Sequence, residues 1–292
     1  MIFTEEQLRS WTKPLSETEE TRVQHSIDMI KRAVKENPNL GNLDIEIFTQ
    51  GSYANNTNVK ADSDVDICVM CKSTFFGLYP EGYSASYYGY INSDYHFDVY
   101  RREVIKAMCD KFGNDNVVEG NKSIKIKSNT YRVQADVVPA FLLKDYAAIG
   151  SLDKNVFVEG IKFISKKEKV VINYPKLHIK NGVEKNKDTN KRYKQLVRIM
   201  KNIKNDMVEA GSVNGDKISS FLVECLVWNV PNEIIVKSGT FSEMVEDSVS
   251  WLISSIKSGC HHEWKEVSGQ LDLFNADRKW KAQDALVFLE SI

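Results

Sequence analysis

The sequence predicts an α+β chain, a mixed sheet followed by a C-terminal helical unit, and three features carry that prediction. One strand pattern runs straight into Gly51-Ser52. A second alternates carboxylates with apolar residues at Asp64-Val65-Asp66-Ile67. From about Pro175 onward the apolar residues recur at helical rather than strand spacing. The expected division is 1–175, a sheet-bearing domain with a long N-terminal helix, and 176–292, a helical domain, with a cleft between them.

The first helix is announced by Ser16 and Glu19 at capping-box spacing, followed by Val23, Ile27, Ile30 and Val34 on one stripe, and Asn37-Pro38-Asn39 stops it. Residues 44–50 alternate as a strand, with Ile45, Ile47 and Thr49 on one face, and a second strand is expected over about 64–71. The Tyr-, Gly- and Ser-rich stretch 74–95 has no period and reads as a loop, followed by a helix near 99–112. Ile124 and Ile126 alternate with Lys125 and Lys127, and Tyr131, Val133 and Ala135 with Arg132, Gln134 and Asp136, which predicts a β-hairpin turning at Ser128-Asn129-Thr130. Short strands follow near 156–164 and 170–173. The polar stretch 180–192 reads as a surface loop, and helices are expected around Tyr193–Met207 and Phe241–Ile256.

Composition narrows the class. The 292 residues are 42% apolar, enough for a packed core, and 39 basic against 40 acidic side chains leave a net charge of −1. That balance disfavours stable binding of double-stranded nucleic acid. No apolar run approaches the length that spans a bilayer, and the start lacks the regions of a signal peptide, so a cytoplasmic protein is expected. Five scattered cysteines do not form a disulfide framework. Cys68 and Cys71 fall in an apolar strand pattern and read as buried thiols, since strand residues three apart face opposite ways. Cys260-His261-His262 is too small and too tightly spaced for a typical metal site.

The chemistry concentrates between Gln50 and Ile67. Phosphoryl transfer asks the protein to hold a triphosphate in line with an attacking hydroxyl and to neutralise the charge that develops. Gly51 lets backbone approach a phosphate, and Ser52 supplies hydroxyl and amide donors. Asp64 and Asp66, one residue apart, project to the same face of a strand and suit a hard cation such as Mg²⁺. A two-metal mechanism needs a further carboxylate, which Asp136 on the hairpin supplies, with Asp98 as its competitor. Asp62 reads as a solvated turn residue.

Gly51-Ser52, eleven intervening residues and Asp64-Val65-Asp66 resemble the signature of the DNA polymerase β-like nucleotidyltransferase superfamily. Within it, Asp136-Val137-Val138-Pro139-Ala140 is similar to the third-carboxylate strand of the oligoadenylate synthetase and cyclic GMP-AMP synthase branch, in particular its bacterial relatives, the CD-NTases of antiphage signalling. Leu196–Lys201 resembles that branch's lysine-bearing helix, and Ile218-Ser219-Ser220-Phe221 its Ser-Ser-aromatic segment. The resemblance covers most of the chain. It implies a polymerase β-like fold, and it implies that Gln50, Gly51, Ser52, Lys201, Ser220 and Phe221 contact the nucleotide while Asp64, Asp66 and Asp136 hold two Mg²⁺ or Mn²⁺ ions.

On that basis Lys194, Arg198 and Lys201 form a basic stripe whose Lys201 neutralises triphosphate charge; the bland reading of such a stripe is a solvated helix face. Phe221 either stacks on a base or belongs to the core. The zinc-binding insertion of the animal DNA sensor is absent. The expectation is therefore a monomeric enzyme that makes a cyclic di- or trinucleotide messenger from nucleoside triphosphates, under control of a regulatory protein partner. The alternatives are transfer to RNA or to a small-molecule acceptor, and a catalytically silent nucleotide-binding regulator.

Overall fold

A computed structural model describes residues 3–14, 17–59, 64–276 and 278–292, so the expected cap residue Ser16 and the turn residue Asp62 lie outside the described residues. The chain divides into a sheet unit, residues 17–53 and 64–176, and a helical unit, residues 3–14, 54–59, 177–276 and 278–292. The helical unit thus draws in two short segments from the first third of the chain, which lack the apolar run needed to mark them in the sequence.

The short helix α1 (Glu5–Ser10), part of the helical unit, has Thr4 as its N-cap, the hydroxyl accepting from the Gln7 amide, and buries Leu8. The sheet unit starts with α2 (Glu17–Glu36), whose stripe of Val23, Ile27, Ile30 and Val34 is buried as its spacing requires. Each such aliphatic side chain contributes about 1.5–3 kcal/mol by leaving water.

After α2 the chain runs through β1 (Ile45–Gln50), the single turn α3 (Gly51–Ala54) and β2 (Val65–Leu78). Next come α4 (Phe97–Phe112), β3 (Val117–Glu119), β4 (Ile124–Ile126), β5 (Ala135–Asp145), β6 (Val158–Ile164) and β7 (Val170–Asn173). The strands form one mixed sheet in the order β1-β2-β5-β4-β3, with β6 against the later part of β5 and β7 against β6. β2 and β5 are parallel and all other pairs antiparallel. Helices α2 and α4 pack together, and their buried side chains join those of β2 and β5 in one core.

Two elements differ from expectation here. β2 does not stop near residue 71: it breaks register between Cys71 and Phe75 and continues to Leu78, so the first residues of the supposed 74–95 loop are strand. A bulge interrupts the alternation from which a strand is read, which conceals the continuation. The hairpin is also looser, because β4 pairs with β5 through Ile126↔Ala135, leaving residues 127–134 as the connection. Asn129 closes that connection by accepting from the Tyr131 and Arg132 amides. Asp136 therefore stands at the beginning of a long strand rather than near the end of a short one. Cys68 and Cys71 are free, buried thiols of β2.

The helical unit continues with α5 (Pro175–Asp188), α6 (Arg192–Glu209), α7 (Ser220–Asn229), α8 (Asn232–Lys237), α9 (Phe241–Lys257) and α10 (Ala282–Glu290). The reading of 180–192 as a surface loop is overturned by α5. Its weak apolar signal is replaced by polar anchors, Asn181 donating to the Val267 carbonyl and Lys185 to the Val230 carbonyl. A capping box, Thr240 with Glu243, starts α9. Cys260 is exposed, in a short turn of 3₁₀-helix. Among the described residues no helix is long and apolar enough to cross a membrane.

Candidate active site: a row of carboxylates and a buried lysine network

Strand register lines up the candidate residues of the sheet unit. Gln50 on β1 stands opposite Asp66 on β2, Asp66 opposite Asp136 on β5, and Asp136 opposite Lys125 on β4. Residues opposed across neighbouring strands share a face, so Gln50, Asp66, Asp136 and Lys125 form one row across four strands. Asp64, two residues before Asp66, lies just before the start of β2. Asp98, the competitor, sits on the exposed first turn of α4 in a 2.9 Å pair with Arg102.

Burial and crowding set the electrostatics. Asp66 loses most of its hydration and faces Asp136 and Asp64, which together push its carboxyl up to about 7. Burial also raises Asp136, with Asp64 adding to it, while Lys125 and a hydrogen bond from Ser123 oppose the rise. One carboxylate oxygen of Asp136, Oδ1, is buried without a hydrogen-bond partner among the described residues.

Gly51 has a role that its sequence context did not disclose. Its φ is +67°, and a Cβ built there would lie 2.1 Å from Asp66 Oδ2. The position therefore requires glycine twice, once for the left-handed backbone and once because the backbone abuts the central carboxylate. Ser52 follows it in α3, partly exposed.

Two site neighbours were missed in the sequence. Gln134 donates from Nε2 to Asp64 Oδ2 at 2.6 Å, and its carbonyl accepts from the Val65 amide at 3.1 Å. Lys125 was seen as half of a strand alternation, but its partner depends on register. The only sequence signal for Gln134 was its spacing of two from Asp136.

In the helical unit Lys201 is buried among polar partners. Lys201 is 1% exposed, and its ammonium donates to Glu224 Oε2 at 2.7 Å, to the Thr57 carbonyl at 3.1 Å and to the Thr57 hydroxyl at 3.2 Å. Thr57 in turn donates to Glu224 at 2.9 Å, and His178 Nε2 lies 3.0 Å from the other Glu224 oxygen. Burial alone would raise Glu224, yet Lys201 and His178 hold it well below the usual carboxylate range.

Arg198 is also buried, donating to the Thr12 and Asn56 carbonyls. Arg198 and Lys201 of the basic stripe are therefore not on a solvated face, while Lys194 is partly exposed. A stripe of charges looks the same in sequence whether its partners are water, phosphate or a buried glutamate. Ser219 caps α7 by accepting from the Leu222 amide, and Ser220 is its first residue. Phe221 stacks on Trp280 with ring centroids 5.2 Å apart, so part of its surface is committed to packing.

The carboxylate row suits a divalent cation in a particular way. Among the described residues no three Asp, Glu, His or Cys side chains converge to ligate one ion unaided. Mg²⁺ commonly binds through one or two carboxylates together with substrate phosphates and water. Asp66, Asp136 with its unpartnered oxygen, and Asp64 held by Gln134 fit that mode, in which the nucleotide completes the coordination.

Residues 27–197 match the nucleotidyltransferase domain, and residues 180–292 match the cGAS/DncV-like nucleotidyltransferase C-terminal helical domain. The chain is 40% identical over 284 residues to a cyclic dipyrimidine nucleotide synthase of Cecembia lonarensis, covering 97% of this chain and 94% of that one. It is 36% identical over 306 residues to a cyclic GMP-AMP synthase of Staphylococcus schleiferi, covering 96% and 93%. Its fold is similar to that of the c-UMP-AMP synthase of Rhodothermus marinus solved with Apcpp and Upnpp, with a TM-score of 0.86, 30% identity and coverage of 99% and 94%. The carboxylate row, the glycine turn beside it and these matches together establish that the chain belongs to the cGAS/DncV-like nucleotidyltransferases, a family whose chemistry uses divalent metal.

Proposed function

We propose that this nucleotidyltransferase joins two nucleoside triphosphates into a cyclic dinucleotide second messenger of antiphage signalling. The observation that carries the reading is the row formed by Asp66 and Asp136 on parallel neighbouring strands, with Asp64 beside them and the Gly51 backbone against the central carboxylate. The product class is supported by relatives named for cyclic dinucleotide synthesis that align with nearly the whole chain. Those relatives differ in the bases they join, so the bases stay outside the proposal.

In this reading Asp64 and Asp66 face the donor triphosphate and Asp136 faces the attacking 2′- or 3′-hydroxyl of the acceptor ribose. Two Mg²⁺ or Mn²⁺ ions, held by these three carboxylates, would supply the charge that neutralises the triphosphate and acidifies the hydroxyl. Gln50, at the end of β1, borders the donor, and Gly51 and Ser52 offer backbone and hydroxyl donors to phosphate. Lys201 is assigned to positioning, through Thr57 and Glu224, and Phe221 to packing on Trp280. The enzyme acts in the cytoplasm as a monomer, with a regulatory protein as its controlling partner.

Incubation of the purified protein with all four nucleoside triphosphates and Mg²⁺ or Mn²⁺, followed by phosphatase and mass spectrometry, tests this directly. A phosphatase-resistant cyclic product, absent from the Asp64→Ala/Asp66→Ala variant, is expected. Linear products extended only on added RNA or a small-molecule acceptor would overturn it.

A further inference from the structure

At the other end of the strands that carry the carboxylates, the sheet unit holds a cavity of about 1250 Å³. That exceeds the ~300–1,000 Å³ of ordinary small-molecule pockets. Along β5, Asp136 and the cavity residue Phe141 are five residues apart, about 17 Å at the strand rise. The cavity therefore belongs to a different place from the carboxylate row.

Its walls have two chemistries. One is aromatic: Phe76, Tyr95 and Phe97 surround Phe141, with ring centroids 5.8, 6.2 and 5.5 Å from it. The other is cationic. Arg101 is only 7% exposed; its Nε donates to Glu119 at 3.3 Å and its Nη2 to the Gly120 carbonyl at 2.9 Å. Its Nη1 is buried without a hydrogen-bond partner among the described residues. Lys166 lies 3.2 Å from the other oxygen of the same Glu119, so two cations share one carboxylate and leave a positive charge at this corner, in a lining that otherwise holds Asp94, Glu168 and the Asp98–Arg102 pair.

A buried guanidinium nitrogen with unused donors calls for an acceptor oxygen, and the surplus charge favours an anionic one. Asp94 and Glu168 also line the cavity and offer acceptors for amino groups at its margin, while Asp98 is already engaged by Arg102. We propose that this cavity is a second binding site for a planar aromatic anion of nucleotide size, whose rings lie against the Phe141 cluster and whose anionic group meets Arg101 and Lys166. This site stands independently of the reaction proposed above.

The probe is 8-anilinonaphthalene-1-sulfonate, which joins aromatic rings to an anionic group and fluoresces when sequestered. It is titrated into the full chain without metal and then competed with adenosine monophosphate. Saturable 1:1 binding is expected, weakened roughly tenfold by Arg101→Gln and severalfold by Lys166→Gln, since each removes one charge-assisted contact. Binding is expected to survive Asp64→Asn/Asp66→Asn, and adenosine monophosphate is expected to displace the dye from that variant. Lys166 is largely exposed, so its variant keeps the test valid if Arg101→Gln fails to fold. Absence of saturable binding, indifference to a folded charge variant, loss in the carboxylate variant or failure of adenosine monophosphate to compete would each overturn the proposal.

Discussion

Lys201→Met separates a lysine that holds phosphate from one that holds the fold. Lys201 is almost completely buried and neutralises a Glu224 that is itself 3% exposed. Removing one member of such a pair leaves the other charge buried and uncompensated, which costs about 3–5 kcal/mol. His178 and the Thr57 hydroxyl still reach Glu224, which places the expected loss near the lower end, at about 3 kcal/mol. Glu224→Gln combined with Lys201→Met removes both charges, so the double variant is expected to regain about 1–2 kcal/mol, a coupling of the size found for contacting residues.

Urea unfolding of the wild type, both single variants and the double variant measures these terms, and pyrophosphate release against nucleotide concentration measures catalysis. A positioning lysine predicts that the folded fraction of Lys201→Met turns over more slowly, by about tenfold or more, with a KM for nucleotide within about threefold of wild type. Glu224→Gln in the same background should restore part of kcat. The reasoning is refuted if Lys201→Met unfolds within about 0.5 kcal/mol of wild type while KM alone rises steeply. That pattern belongs to a lysine that meets the triphosphate.

Three further outcomes follow from the carboxylate row. Gly51→Ala places a methyl 2.1 Å from Asp66 Oδ2 at a left-handed φ, so it is expected to cost about 1–2 kcal/mol from the backbone alone and at least a hundredfold in turnover, read by thermal melts and pyrophosphate release. A soluble Gly51→Ala with normal turnover would remove the close approach from the account. Gln134→Leu frees Asp64 from its 2.6 Å donor, and the metal concentration for half-maximal activity should rise roughly tenfold, the scale on which outer-shell partners tune metal sites. In metal-free buffer, Asp66 binds its proton more tightly folded, at about 7, than at the ordinary 3.8. Its contribution is therefore fully present below pH 4 and is lost as pH rises through 7, by a few kcal/mol. Asp66→Asn should flatten this decline in melting temperature between pH 5 and 8, and Mg²⁺ with nucleotide should oppose it in the wild type.

Much of the chain's organisation lay in local pattern. The stripe of α2, the strand entering Gly51 and the helices α6 and α9 follow from spacing, because side chains three, four or two apart meet a common face. The continuation of β2 beyond Cys71 and the helix α5 escaped for opposite reasons. A bulge breaks the alternation of the first, and the second holds its place by polar anchors such as Asn181 and Lys185 rather than an apolar stripe.

For the site, the sequence by itself determined which residues were candidates for the chemistry: a glycine turn after a strand, two carboxylates one residue apart, and a third on a later strand. Tertiary structure alone decided how they act on one another. Register put Asp136 beside Asp66 and Lys125 beside Asp136, turned Gln134 toward Asp64, and brought the Gly51 backbone against the central carboxylate. It also assigned Lys201 to Glu224, a partner 23 residues away on another helix. Spacing along the chain fixes the face on which a side chain stands, but the groups opposite it are fixed only when elements distant in sequence pack, because the energy of a charge depends on what surrounds it.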